Sequence, residues 1–316
     1  MRRRLGMLLM LVVVAVFAAA CGGASGGKEE TSAEPDQETV VVKHRLGETE
    51  VVKNPQKVVV FDFGALDSLD RLGVEVAAVP QATVPAYLKK YEDSKYVNAG
   101  SLKEPDFEAI SELDPDLIII SGRQQDLYEE LSKIGATIFL GVDTNRYMES
   151  YTENANILAQ IFDKQAEVDT ALTEVEEAIK ELHDQVADSD KTALIILANE
   201  GNVSAYGPAS RFGIIHDVFG FTPVDSKIEV STHGQSISFE YIAEKNPDYL
   251  FVIDRGAVVA GGTPGAKQLV ENELVKKTKA YENGKIVYLD ADYWYLSGGG
   301  LISVAEMVKE VGVALD

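Results

Sequence analysis

Phe107-Glu108-Ala109-Ile110-Ser111-Glu112-Leu113-Asp114-Pro115-Asp116 and Phe239-Glu240-Tyr241-Ile242-Ala243-Glu244-Lys245-Asn246-Pro247-Asp248 are two copies of one unit, 132 residues apart. In each, a short helix is predicted to turn its isoleucine, Ile110 or Ile242, toward a sheet. Pro115 and Pro247 stop that helix. An apolar strand follows, Leu117–Ile120 in the first copy and Tyr249–Ile253 in the second. Each copy then reaches an arginine at the same offset, Arg123 and Arg255. A helix feeding a buried strand, met twice, predicts an α/β protein of two similar lobes. Glu108 and Glu240 fall in the first helical turn, where an acid complements the helix dipole. Their matched places also suit docking onto basic sites of a two-fold symmetric partner.

Outward from the repeat, short strands alternate with helices. Val40–His44 and Glu48–Lys53 flank Arg45-Leu46-Gly47 as a hairpin. Val58–Phe61, Val74–Val79 and Thr137–Leu140 read as strands of a parallel sheet, and the pattern resumes with Ala193–Leu197, Val203–Tyr206 and Ile286–Leu289. Between the two blocks, no Gly or Pro interrupts Glu149 to Asp188. Ile161, Val168, Leu172, Val175, Ile179, Leu182 and Val186 recur at mostly helical steps, which predicts one helix of about 40 residues, roughly 60 Å long. Between Glu153 and Asp190 that segment carries 11 acids and 2 lysines, a solvated face. The predicted organisation is a first lobe over 38–148, a linking helix over 149–190 and a second lobe over 191–316.

The N-terminus reads as an address. Arg2, Arg3 and Arg4 precede an apolar run from Leu5 to Ala20, and Ala18-Ala19-Ala20 stands directly before Cys21. A basic start, a run too short for an ordinary membrane span and small residues at its end make residues 1–20 a signal peptide. Cys21, the sole cysteine, sits where a bacterial lipoprotein signal places its lipidated residue, with Ala18 where Leu is usual, so acyl chains would tether the chain to the outer face of a membrane; the alternative is an ordinary secretory signal cut after Ala20, with Cys21 incidental. Residues 22–37, rich in Gly, Ser and acids, read as the flexible part of that tether. The 316-residue chain carries 29 Lys and Arg against 51 Asp and Glu, a net charge of −22. Its overall field excludes nucleic acid and anionic membrane surfaces as partners. One cysteine excludes a disulfide framework.

Against this acidic background, three arginines stand out. Arg123 and Arg255 follow strand ends, where open α/β lobes bind ligands. Arg211 follows Gly207-Pro208-Ala209-Ser210 in a loop at the same rim. Three convergent guanidiniums imply a strongly anionic ligand, because their planar forks match delocalised oxyanions and stack on aromatic rings. Tyr293-Trp294-Tyr295 supplies aromatic faces suited to a planar ligand, and Gln125 lies on a neighbouring loop. The following Gly298-Gly299-Gly300 reads equally as a flexible lead-in to the last helix. Enzyme motifs fail: Gly261 to Gln268 has Ala and Gln where a phosphate-binding loop needs Gly and Ser/Thr, and no nucleophile elbow or His-Glu-x-x-His helix occurs. His44, His183, His216 and His233 are scattered, which argues against a bare metal site.

Taken together, the lipoprotein signal, the two lobes, the linking helix and the repeated unit resemble the periplasmic-binding-protein family of iron-siderophore and cobalamin uptake. The similarity covers essentially the whole chain after the tether and is strongest to petrobactin-type, catecholate-siderophore-binding lipoproteins of Gram-positive bacteria. The resemblance implies two Rossmann-like lobes on a helical backbone and no catalysis. It implies a monomer, and a ferric siderophore held by Arg123, Arg211 and Arg255. The siderophore itself, not the protein, would ligate the iron, so no cofactor is expected. It further implies that Glu108 and Glu240 contact arginines of an ABC permease dimer. A haem or cobalamin binder on the same scaffold is the competing reading, with a Tyr or His axial ligand in the haem case. A metallocluster enzyme on the two lobes is opposed by the single cysteine, and an adhesion or signalling lipoprotein has no evident use for the cleft arginines.

Overall fold

The computed structural model describes residues 38–187, 189, 191–259 and 265–315. The signal peptide, Cys21, the tether and Gly261 to Pro264 lie outside the described residues. In the first lobe, Val58–Val60 pairs on one side with Ala78–Val79, which pairs with Val97–Asn98, and on the other with Leu117–Ile120, which pairs with Thr137–Phe139. Every pairing is parallel. The strand expected over Val74–Val79 is confined to its last two residues. All residues of the three strands Val58–Val60, Leu117–Ile120 and Thr137–Phe139 are buried, as a sheet covered on both faces demands. The hairpin Thr39–His44 and Gly47–Val52 forms its own two-stranded sheet.

The second lobe repeats this parallel core and then departs from it. Thr192–Asn199 pairs with Tyr249–Asp254, which pairs with Ile286–Leu289, all parallel. On the other flank, the short Thr222–Pro223 runs parallel to the start of Thr192–Asn199. Asn202–Tyr206 turns back antiparallel along the rest of that strand, and Gln235–Ile237 extends the antiparallel edge.

The repeated unit is built alike in both lobes. The helices Phe107–Leu113 and Phe239–Lys245 are capped by Asp106, which accepts from Ala109 N at 3.0 Å, and by Ser238, which accepts from Tyr241 N at 3.3 Å. They end on Asp114 and Asn246 in the left-handed conformation, φ 52° and 47°. Ile110 and Ile242 are fully buried. Asp116 and Asp248 do more than turn the chain. Asp116 accepts from Gln56 N and Lys57 N, both at 2.8 Å, and Asp248 accepts from the Thr192 backbone and hydroxyl, both at 3.0 Å. Each aspartate thus ties its own strand to the start of the neighbouring central strand.

The single helix expected over 149–190 is two helices, Tyr147–Phe162 and Gln165–Ala187. Asp163 breaks it by adopting φ 53°, and Lys164 N reaches back to Ala159 O at 3.0 Å, a helix-ending arrangement. The loop before the Val58 strand holds the break: Asn54 N donates to Ile161 O at 2.8 Å, while Asn54 Nδ2 and Lys53 Nζ reach the Asp163 carboxylate at 2.7 and 3.2 Å. The first piece packs on the first lobe, and the 23-residue second piece alone makes the crossing.

The last helix, Leu301–Val313, does not stay with the second lobe. It packs against Phe63–Arg71 of the first lobe and against the crossing helix. Asp67 and Ser68 provide the contact. Leu301 N donates to Ser68 Oγ at 3.0 Å, Ile302 N to Asp67 Oδ1 at 3.2 Å and Ser303 N to Asp67 Oδ2 at 3.0 Å. Two residues of one helix therefore satisfy the free N–H groups that open another. Burial pushes the Asp67 carboxyl up to about 7, against the hydrogen bonds from Ser303, Ile302 and Tyr87 that favour its charged form. Gly300 is the close approach that makes this possible: a Cβ there would sit 1.8 Å from Asp67 Oδ1 and 2.3 Å from Gly64 O. The glycine run is thus a packing requirement, not a flexible lead-in. Among the described residues, no helix is long and apolar enough to cross a membrane. Gly300→Ala is expected to destabilise the protein by roughly 3 kcal/mol through overpacking. A urea-unfolding midpoint equal to wild type would contradict this close fit.

Candidate functional site

A cleft of about 690 Å³ opens between the lobes, lined by Arg45, Asp62, Ser121 to Arg123, Phe139 and Tyr147 from the first lobe and by Ala209 to Arg211 and Val230 to Thr232 from the second. The segment from Trp294 to Gly298 crosses its floor. Asp62 is the single acid among the lining residues.

Each arginine is presented by a built turn. Arg123 follows the Leu117–Ile120 strand through buried Ser121. Gln124, fully buried, accepts from Ser121 N and donates to Leu102 O, which fixes the turn. Arg211 follows a turn in which Ser210 Oγ donates to Gly207 O at 2.5 Å and Ala209 N donates to Asp217 Oδ2 at 2.6 Å. Arg255 opens the short turn after Tyr249–Asp254, and Asp254 accepts from Gly265 N and Ala266 N at 2.8 and 2.9 Å.

All three arginines meet at Tyr295. Arg123 Nη2 donates to the Tyr295 carbonyl at 2.9 Å, and Arg211 Nη2 donates to the same oxygen. Arg211 also lies over the Tyr295 ring, 4.2 Å from its centroid. Arg255 Nε donates to the Tyr295 hydroxyl at 2.9 Å, and its Nη1 donates to Asn199 Oδ1 at 2.7 Å. The carbonyl is available for a local reason. Asp292–Ser297 winds as one wide turn in which Gly298 N bonds Tyr293 O, and Gly300 N, five residues past Tyr295, is given to Ser303 Oγ.

The electrostatics follow from this crowding. Burial lowers the Arg123 guanidinium from its ordinary value and the charge of Arg211 lowers it further, while Asp62 and Tyr295 oppose both. Burial acts to raise the Tyr295 phenol, but the hydrogen bond from Arg255 and the charges of Arg211, Arg255 and Arg123 outweigh it, so the phenol is more acidic than an ordinary tyrosine. None of the three arginines has a carboxylate within ion-pair distance among the described residues, whereas Arg71 and Arg146 pair with Glu174 and Glu153.

The other expected site residues divide. Trp294 is buried, 2% exposed, and its Nε1 donates to Glu310 Oε2 at 2.7 Å in the last helix, while the residue still borders the cleft. Tyr293 turns away to pack on Tyr87, with ring centroids 4.6 Å apart. Gln125 starts a short turn beside Arg123 but does not line the cleft, and Arg255 is not among the lining residues either, reaching them through the Tyr295 hydroxyl. Of the three neighbouring aromatics, Tyr295 alone meets the arginines. Sequence reasoning missed Arg45 and Asp62. Arg45 lay hidden in the turn of a hairpin outside the parallel sheets, and Asp62 was legible only as a cap of the Phe63–Arg71 helix, where it accepts from Ala65 N at 2.7 Å. Glu108 and Glu240 lie far from this chemistry, exposed at the starts of their two helices. Among the described residues, no group of three or more His, Cys, Asp or Glu is placed to hold a metal ion.

Two α/β lobes, a crossing helix and a cation-lined cleft are the frame in which the family match falls. Residues 58–293 match the periplasmic binding protein family, and the chain belongs to it: it is an extracytoplasmic substrate-binding protein of the ABC-importer class, not an enzyme. It is 53% identical over 284 residues, 89% of each chain, to the petrobactin-binding protein YclQ of Bacillus subtilis. The crystal structure of that relative matches with a TM-score of 0.86 over 89% of this chain and 99% of its own. The periplasmic catecholate-siderophore binding protein VctP of Vibrio cholerae matches with a TM-score of 0.82 at 39% identity, over 87% of this chain and all of its own. The ferric-anguibactin-binding protein FatB of Vibrio anguillarum is 32% identical over 283 residues, 88% of each chain.

The cation cluster predicts an acidic tyrosine. An ultraviolet titration, with the Tyr295→Phe variant subtracted, is expected to show one phenol ionising below the ordinary tyrosine range, and Arg255→Ala is expected to raise it. A difference curve with no such early phenol would refute the arrangement.

Proposed function

We propose that this protein captures a ferric catecholate siderophore of the petrobactin kind in the inter-lobe cleft and delivers it to an ABC permease for iron uptake. The observation that carries the reading is the convergence of three arginines without ion pairs, from both lobes, on one residue of the cleft lining, Tyr295. Iron enters as cargo already wrapped by the siderophore. Arg123, Arg211 and Arg255 set the affinity by charge-assisted hydrogen bonds to the catecholate oxygens. The Tyr295 ring covers a ligand ring, and the cleft walls exclude water. The relatives' own ligands, petrobactin and catecholate siderophores among them, support the same chemistry. Fluorescence quenching by a ferric catecholate should weaken roughly ten- to a hundredfold in each of Arg123→Ala, Arg211→Ala and Arg255→Ala. Undiminished affinity in all three would sink this assignment.

Delivery uses the repeat. Glu108 and Glu240 stand exposed on equivalent helices, and hydrogen bonds from its own backbone N–H and from Ser238 hold the Glu240 carboxyl below its usual range, hence ionised. They suit a pair of basic sites on a permease dimer, one lobe to each half, with the binding protein acting as a monomer. Cys21 carries the lipid that keeps the protein at the extracytoplasmic face of the membrane. In cells, reversing both glutamates to lysine is expected to abolish iron-siderophore uptake while leaving ligand affinity intact, and Cys21→Ala is expected to release the protein from the membrane fraction. Uptake at the wild-type rate in the double reversal, or membrane retention of the cysteine variant, would refute the respective role.

A further inference from the structure

Besides Arg123 and Arg211, the cleft is lined by a third arginine that the Tyr295 cluster does not explain. Arg45 occupies the turn of the Thr39–His44 and Gly47–Val52 hairpin, and that turn is pinned rather than free. His44 Nδ1 accepts from Leu46 N at 3.2 Å, His44 Nε2 lies 3.0 Å from Thr49 Oγ1, and Thr49 Oγ1 donates to Thr137 O at 2.8 Å. The His44 ring meets Tyr128 edge-on at 5.6 Å, and Leu46 packs against the core beneath the first sheet. The hairpin is thereby fastened to the edge strand Thr137–Phe139.

The result places the Arg45 guanidinium 5.6 Å from the centroid of the Phe139 ring, on the first-lobe wall of the cleft. Phe139 is itself fixed: it is 4% exposed, and a Cβ on Gly141 would come within 2.7 Å of its Cζ. A guanidinium held by a ring at cation–π distance spends no N–H group on that contact, so its N–H groups stay available for a planar oxyanion. Arg45 has no carboxylate within ion-pair distance and no hydrogen-bond acceptor among the described residues, in a chain with 51 acids. It also shares none of the Tyr295 contacts that gather Arg123, Arg211 and Arg255.

We infer that Arg45 is a specificity-determining residue that receives a carboxylate of the ligand lying outside the oxygens gripped by the triad. The inference rests on the siderophore reading of the cleft and deepens it: the triad recognises the ferric catecholate centre, and Arg45 with Phe139 selects among ligands by the charge they carry at their periphery. A neutral or cationic periphery finds no partner on that wall.

Two synthetic ferric bis-catecholates, identical except for one free carboxylate on the linker, separate the two readings by fluorescence quenching. Wild type is expected to favour the carboxylate-bearing probe. Arg45→Ala is expected to bind it roughly tenfold more weakly, the scale of one hydrogen-bonded charge, and to bind the other probe as wild type does. Arg45→Lys, which keeps the charge but not the fork, is expected to fall between. The inference is overturned if wild type shows no preference, or if Arg45→Ala leaves the preference unchanged or weakens both probes equally. Failure of wild type to bind either probe would instead overturn the siderophore reading itself.

Discussion

One buried carboxylate organises the molecule around its cleft. Asp67 lies inside the Phe63–Arg71 helix yet spends its two oxygens on another helix, accepting the N–H groups of Ile302 and Ser303. A charge in that position is costly to bury unless hydrogen bonds surround it. Here they come from Ser303, Ile302 and the Tyr87 hydroxyl, which lies 3.0 Å from Asp67 and 2.6 Å from Ser297 Oγ. The chain Asp67–Tyr87–Ser297 therefore reaches the segment that crosses the cleft. The Gly300 N–H, turned inward to Ser303, is the one that a continuous wide helix would have given to Tyr295 O. Capping the last helix from the first lobe and leaving a carbonyl open for two arginines are one arrangement seen from its two ends.

The charge distribution gains meaning from that arrangement. A net charge of −22 describes a chain that repels anions at a distance. Yet the excess acids sit where they are solvated, as along the crossing helix with Glu174, Glu176, Glu177, Glu181 and Asp184, while the cleft keeps one acid among its lining residues. Arg123 and Arg211 donate to a single oxygen, so their charges repel at close range with only a neutral carbonyl between them. Burial weakens the screening that water would supply. An anion with several delocalised oxygens would relieve that repulsion better than any neutral group can, which is the physical basis on which the proposed function assigns Arg123 and Arg211 a multiply charged ligand.

Legibility in the sequence followed how local each cause is. The repeated unit was readable because its devices, a proline stop, an isoleucine facing the sheet and an arginine after the strand, all lie within about 20 residues of one another in sequence. Arg123 and Arg255 could be placed because each follows the carboxyl end of a parallel strand, whereas Arg211 follows an antiparallel strand and was marked only by its Gly-Pro turn. The break at Asp163 was not, because it needs no Gly or Pro: an aspartate takes the left-handed conformation when Lys53 and Asn54, more than a hundred residues away, hold its side chain. Trp294 and Tyr295 could not be told apart by position, since which of two adjacent aromatics faces the cleft depends on the wide turn and on Glu310. Arg45 was hidden for the same reason, its place being fixed by contacts to Thr137 and Phe139 on a different sheet.

The helical frame bears on how binding connects to delivery. The crossing helix Gln165–Ala187 and the last helix Leu301–Val313 pack side by side, and the latter is also bonded to the first lobe. Two packed helices resist bending far more than a pair of extended linkers, because a hinge there must part a buried apolar seam that includes Val168, Leu172, Val304 and Val308. Large lobe rotation is thus opposed by the core itself. Glu108 and Glu240 are each fixed to their own sheet by matching caps and by the clamps of Asp116 and Asp248, so their separation is a property of the frame. Under the proposed docking role, such a frame would let a permease distinguish loaded from unloaded protein by what fills the cleft rather than by a wide change in the distance between the two glutamates.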